Sequence, residues 1–88
     1  MKKEIELAYN RLPKLLDSYG FKKAYIKADS DTTTIVLCDQ QKPLSLQEWL
    51  NFETIVKLDI SRSVNIIGKE QEDNLDGYLL IKGSEHNV

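Results

Sequence analysis

The residues best placed for chemistry are two aspartates, Asp29 and Asp31, which flank a serine at the end of a strand-like run. Paired carboxylates at a strand end can hold Mg²⁺ for phosphoryl or nucleotidyl transfer. Aspartate is also a common turn former, because its side chain bonds to nearby backbone amides. We interpret this pair first as a turn, and a metal site at Asp29 and Asp31 is the alternative.

The single histidine and the single cysteine offer little catalytic chemistry. A general base must be held within hydrogen-bond reach of its nucleophile, and His86 lies two residues from the end of the chain. Cys38 ends an apolar run, which is typical of a small core residue. One Cys and one His cannot supply the four ligands of a zinc site. The sequence therefore favours a non-enzymatic protein without a cofactor.

The acidic stretch at 69–77, KEQEDNLDG, has part of the spacing of a calcium-binding EF-hand loop. Counted from Glu72, the sixth position is Gly77, as that loop requires. The twelfth position, which should be a bidentate glutamate, is Gly83, and the flanking runs are typical of strands. We expect a solvated connection rather than a calcium site.

A second candidate surface consists of Lys23, Tyr25 and Lys27, which alternate with apolar residues along one run. In a strand this spacing puts the three side chains on one face, opposite to the apolar ones. A domain that binds duplex nucleic acid is usually basic with clustered arginines, whereas this chain has a net charge of −2. Tyrosine is enriched at protein interfaces, so we expect this face to bind another protein.

An amphipathic helix is predicted over residues 2–19, ahead of that strand. Apolar residues recur there at helical spacing throughout. Pro13 removes one backbone donor without shifting the apolar stripe, which predicts one kinked helix rather than two. Gly20 can adopt the left-handed conformation after the last turn and should end the helix.

Residues 21–28 and 32–38 predict a β-hairpin around the turn at 29–31. The runs at 64–67 and 78–82 are typical of two further strands. We expect the first and the last strand of the chain to be the edges of the sheet. Unpaired backbone groups at such edges can accept a strand from a partner.

The stretch from Pro43 to Ile60 contains the strongest helix signal in the chain. Ser45 and Glu48 form a capping box, so a helix should begin at Leu46. Its end is ambiguous, because residues 54–60 fit either a helix that continues to about Leu58 or an additional strand. We favour the helix, and we expect the sheet to pack against Trp49.

These elements give an α+β fold in the order α-β-β-α-β-β. Two helices should pack on one face of a small, mostly antiparallel sheet of about four strands. Residues 1–83 form a single domain, and 84–88 a flexible C-terminal tail. The predicted core is Leu12, Leu16, Ile26, Ile35, Leu37, Trp49, Val56, Ile66 and Leu79.

The composition is ordinary for a folded protein, with 41% hydrophobic and 30% charged residues. No apolar run approaches the roughly 20 residues that span a bilayer, and the N-terminal stretch lacks a signal-peptide pattern. One cysteine fits a reducing compartment. We expect a cytoplasmic protein without a membrane partner, from a bacterium or a phage.

The order of elements resembles the minimal nucleotidyltransferase domains that accompany bacterial helical toxin partners. The resemblance is carried by the helix–glycine turn SYGFKK at 18–23 and by RSVNII at 62–67, where a basic residue leads into a strand. The family's Gly-Ser turn is missing after Ile26, and its third carboxylate would fall at Asn65. The resemblance implies a reduced and inactive relative.

The sequence as a whole favours a non-catalytic binding module that contacts another protein, as a monomer or homodimer. A regulator, antitoxin, immunity protein or phage-encoded inhibitor would act in this way. One alternative is a reduced nucleotidyltransferase-like protein that binds a nucleotide or metal through Asp29 and Asp31. A second alternative is a small nucleic-acid-binding domain whose contacts would come from Lys22, Lys23, Tyr25 and Lys27.

Overall fold

Two helices and four strands follow one another in the predicted α+β order. A computed structural model describes residues 3–68 and 75–84 of the 88-residue chain. The elements are α1 (Lys3–Tyr19), β1 (Phe21–Ala28), β2 (Thr33–Gln40), α2 (Leu46–Asp59), β3 (Val64–Gly68) and β4 (Leu79–Lys82). Neither helix within these residues has the length and apolar character needed to cross a bilayer.

Helix α1 is a single helix that contains Pro13. Its buried stripe repeats at the predicted helical spacing and consists of Ile5, Ala8, Leu12 and Leu16. Gly20 ends the helix with a φ of 84°, and its N–H donates to the carbonyl of Asp17 at 3.3 Å. A residue with a Cβ would be strained in this conformation, so the predicted stop at Gly20 is confirmed.

Helix α2 begins with the predicted capping box. The Glu48 N–H donates to the Ser45 hydroxyl at 3.1 Å, and the Ser45 N–H donates to the Glu48 carboxylate at 2.8 Å. The hydrogen bond that the Ser45 backbone donates to the Glu48 carboxylate, followed by the interaction of the Ser45 side chain with that carboxylate, lowers the pKa of Glu48. The helix continues to Asp59, so residues 54–59 are helical and do not form a strand.

The four strands form one mixed sheet in the order β3-β2-β1-β4. β1 pairs antiparallel with β2 and with β4, while β2 and β3 are parallel and connected through α2. The hairpin turn is closed by the Asp29 N–H, which donates to the carbonyl of Thr32 at 2.8 Å. The prediction that the first strand is an edge was wrong, because β1 lies between two others.

Both helices pack on one face of the sheet, and most of the predicted core is confirmed. Trp49 and Ile66 are only partly buried, and the centre of α2 is the fully buried Phe52. Leu79 was predicted in the core but is 41% exposed, whereas Ile81 in the same strand is 1% exposed. The buried predicted residues are Leu12, Leu16, Ile26, Ile35, Leu37 and Val56.

The end of β4 is attached to α1 through Asp17. The Gly83 N–H donates to the carbonyl of Lys22 at 2.8 Å, which extends the pairing with β1. The Ser84 N–H then donates to the Asp17 carboxylate at 2.9 Å, and its hydroxyl donates to the same oxygen. The remainder of the predicted tail, residues 85–88, lies outside the described residues.

Candidate protein-binding face

Lys23, Tyr25 and Lys27 lie on the face of the sheet opposite to the helices. Ala24 and Ile26, between them in β1, are fully buried in the core cluster. Because side chains alternate along a strand, the other three point to the second face, where each is half-buried. We call the surface made by Lys23, Tyr25, Lys27 and their neighbours on adjacent strands the lysine–tyrosine face.

An apolar row crosses this face at its centre. Tyr25 lies opposite Val36 of β2 and opposite Leu80 of β4. Val36 in turn lies beside Ile67 of β3. Ile67 is 42% exposed and Leu80 is 38% exposed, while Val36 between them is buried. Directly opposite residues share one side of a sheet, so the row extends from one edge strand to the other.

Lysines border the apolar row on both sides. The Lys23 ammonium lies 3.9 Å from the Asp39 carboxylate, and both side chains are partly exposed. Lys82 lies opposite Lys23 in the neighbouring strand. On the other side of the row, the Lys27 ammonium lies 5.7 Å from the centre of the Tyr78 ring. The face therefore combines an apolar centre with a basic border.

The predicted acidic loop reaches this face at its C-terminal end. Residues 69–74, which include the first three positions of the calcium-loop spacing, lie outside the described residues, as does His86. A Cβ added at Gly77 would lie 3.8 Å from the Lys27 ammonium, the same group that lies over the Tyr78 ring. The C-terminal end of the acidic stretch therefore lies beside one of the lysines of this face.

Cys38 is buried, as predicted, but on the lysine–tyrosine face rather than in the core between helices and sheet. It lies opposite Lys23 in the β1–β2 register. Its thiol lies 3.8 Å from the carbonyl of Val36 as a weak donor. Its burial agrees with the interpretation of Cys38 as a small packing residue, which the sequence favoured.

Asp29 and Asp31 lie in the exposed hairpin turn at one end of the sheet. The backbone hydrogen bond between Asp29 and Thr32 fits the turn-forming role. Within residues 3–68 and 75–84, no three His, Cys, Asp or Glu side chains are grouped so that they could hold a metal ion. Asn65, which the resemblance equated with a third carboxylate, is exposed in β3.

Sequence reasoning missed Val36, Ile67 and Leu80 as members of the same surface. Each lies in a predicted strand, but within an uninterrupted apolar run, where alternation does not show which side of the sheet a residue occupies. Their meeting depends on the order and the register of the strands, which short-range patterns do not encode.

Comparison with protein-family models, with curated proteins and with solved structures gives no match to this chain. The resemblance to minimal nucleotidyltransferase domains therefore stays a prediction. The lysine–tyrosine face is defined by the geometry of this chain alone.

Proposed function

We propose that this chain is a non-catalytic binding module that contacts another protein through the lysine–tyrosine face. The observation that carries the proposal is the apolar row from Ile67 to Leu80, bordered by lysines and lying opposite to both helices. Specific protein interfaces have the same arrangement, with an apolar centre that contains aromatic residues and a polar rim. Tyr25, at the centre of the row, is the proposed anchor.

The charges of the face define the chemistry of its partner. Lys23, Lys27 and Lys82 give the border a positive potential, which is offset in part by Asp39. A complementary partner carries acidic side chains around an apolar patch. Complementary charges of this kind accelerate association and exclude wrong partners more than they add affinity. The proposed partner is therefore an acidic protein surface, and not a nucleic acid.

Binding also suits the face better than catalysis does. An enzyme gathers nucleophiles, acids and bases in a pocket that excludes water. This face gathers aliphatic and aromatic side chains on an open sheet. The groove between the two helices contains Arg11 and Asp59 as an exposed ion pair 3.9 Å apart, an arrangement common on protein surfaces. Regulators, antitoxins, immunity proteins and phage-encoded inhibitors act through such faces, in this case in the cytoplasm.

Affinity capture with matched variants tests the proposal. The tagged chain is incubated with a lysate of the source cell, and captured proteins are quantified by mass spectrometry. Tyr25→Ala removes the proposed anchor, while Tyr9→Ala removes an exposed tyrosine from α1. We expect one protein to be captured by the wild type and Tyr9→Ala but depleted with Tyr25→Ala. Equal capture of every protein by the two variants would contradict the proposal.

A further inference from the structure

The outer edge of β3 presents backbone groups that no residue in the described part of the chain binds. The Thr33 N–H donates to the carbonyl of Ser63 at 2.8 Å. In a parallel pair the bonded residues alternate along the strand, so Asn65 and Ile67 bond towards β2. The N–H and C=O groups of Val64, Ile66 and Gly68 therefore point away from the sheet. They form a row of donors and acceptors that fits another strand.

This edge lacks the features that normally prevent strand addition. Natural edge strands carry lysine, proline or a bulge that discourages pairing. The sequence of β3, VNIIG, contains neither charge nor proline, while the opposite edge strand ends in Lys82. A Cβ at Gly68 would meet no atom within 4 Å among the described residues, so there is room for a neighbour at the end of β3.

A groove with a volume of about 180 Å³ lies beside this edge, between α2 and β3. It is lined by Trp49, Leu50, Glu53 and Ile66. Leu50 is 47% exposed although it borders the groove. A strand edge next to an apolar groove is the arrangement with which several domains capture extended peptides. The backbone of the peptide pairs with the edge, and its side chains enter the groove.

We propose that β3 and this groove dock an extended segment of another protein, which adds to the sheet as a fifth strand. Glu53 is the charged residue that lines the groove, and its carboxylate is already paired with the Lys57 ammonium at 3.4 Å. The part of the segment that meets the groove is therefore uncharged and apolar. The length of the segment is about five residues, matched to β3. This site uses the outer backbone edge of β3 and the groove beside α2, whereas the lysine–tyrosine face lies on the other side of the sheet and shares only Ile67 of β3 with it. Tyr25→Ala tests that face without touching this edge, so the two proposals are tested separately.

A second folded copy of the chain fits this edge less well. A strand of five residues is about 17 Å long, and a contact strip about 10 Å wide along it has an area of about 170 Å². Stable interfaces bury about 800 Å² on each partner. Two rigid domains that meet only along this edge fall well short of that area. A flexible segment can pair with the edge and also fill the groove.

A designed peptide provides the test. The probe is a blocked peptide of alternating valine and threonine, seven residues long, with one lysine added at each end for solubility. Its control has the same sequence with every backbone amide methylated, which removes the donors from both edges of the peptide. We expect the first peptide to give saturable NMR shifts at the amides of Val64, Ile66 and Gly68 and to slow their hydrogen exchange. The methylated control should leave them unchanged.

Two matched variants locate the groove contact. Leu50→Ser removes an apolar side chain that borders the groove, and Leu58→Ser makes the same change at an 80% exposed site of the same helix. Leu50→Ser should weaken binding of the peptide about fivefold or more, and Leu58→Ser should leave it unchanged. Shifts confined to β1 and β4, equal effects of both variants, or no binding up to the solubility limit would overturn the proposal. Sedimentation that shows a dimer competing with the peptide would also overturn it.

Discussion

The capping box of α2 makes a quantitative prediction, because both of its hydrogen bonds are defined by distance. Ser45→Ala removes the acceptor that lies 3.1 Å from the Glu48 N–H. Loss of a serine cap costs about 1 kcal/mol in free energy of unfolding. The reciprocal bond, from the Ser45 N–H to Glu48, involves the backbone and persists in the variant. We therefore expect a loss of about 1 kcal/mol, which corresponds to a decrease in Tm of roughly 4–8 °C for a domain of this size.

Urea unfolding followed by tryptophan fluorescence measures this change, since Trp49 lies one turn after the cap. Ser18→Ala is the control, because Ser18 is an exposed serine within α1. It should change the free energy of unfolding by no more than about 0.5 kcal/mol. An effect of Ser45→Ala that is no larger than that of the control would refute the role assigned to the cap.

The same box predicts a pH dependence of stability with a defined sign. Hydrogen bonds from Ser45 hold the pKa of Glu48 below its usual value of 4.5 in the folded state. A carboxylate of this kind stabilises the fold above its unfolded pKa, and the contribution is lost as the pH falls through the folded pKa. The difference in free energy of unfolding between wild type and Glu48→Gln should therefore be largest near neutral pH and shrink in acid. A difference that grows towards low pH would contradict the assignment.

Three further predictions test the fold and the nucleotide-binding alternative. Phe52→Ala should lower the free energy of unfolding by about 3–5 kcal/mol, which is more than Trp49→Ala should lower it. If urea unfolding gives the opposite order, Trp49 and not Phe52 is the central residue of α2. Gly83→Ala should lower the free energy of unfolding by about 1–3 kcal/mol, because the added Cβ would meet the Asp17 carboxylate of α1. A Cβ at Gly68 would meet no described atom, so Gly68→Ala should leave the stability unchanged or raise it slightly. Mg²⁺ with nucleoside triphosphates should leave the NMR amide shifts of the hairpin turn unchanged. Saturable shifts there that Asp31→Ala abolishes would instead support the nucleotidyltransferase resemblance.

The elements themselves could be predicted because their signals are local. The cap at Ser45 and the stop at Gly20 each depend on residues within one or two helical turns. The change from helical to strand period at Phe21 is equally short-range. For this reason the start of α2 and the end of α1 agree with the structure to the residue.

The arrangement of those elements was harder to predict, because it depends on contacts between distant parts of the chain. The residues around β1 do not indicate that β4 pairs with the side of β1 opposite to β2, which makes β1 an inner strand. For the same reason alternation, which places Leu79 and Ile81 on the same side of β4, could not show that Leu79 is left 41% exposed on this edge strand while Ile81 is buried. In α2 the single tryptophan, Trp49, was chosen as the core residue, although Phe52 on the same side of the helix is the one that is fully buried.

The candidate face was predicted only in part. Lys23, Tyr25 and Lys27 share one side of β1 through simple alternation, so the sequence indicated them. The apolar row that gives them a centre needs the parallel pairing of β2 with β3 and the antiparallel pairing of β1 with β4. The groove beside β3 is likewise defined only once that strand is known to be an edge.

The binding kinetics of the captured protein, once purified, test the central claim most directly. Association and dissociation rates are measured for the wild type, Tyr25→Ala, Lys27→Glu and the control Tyr9→Ala at several salt concentrations. Tyr25→Ala should weaken the complex by about 1–3 kcal/mol, the range for an anchoring interface residue. Lys27→Glu should mainly slow association and make it less sensitive to salt, while Tyr9→Ala behaves as wild type. If Tyr25→Ala and Lys27→Glu both remain folded and bind like the wild type, the lysine–tyrosine face is not the binding surface.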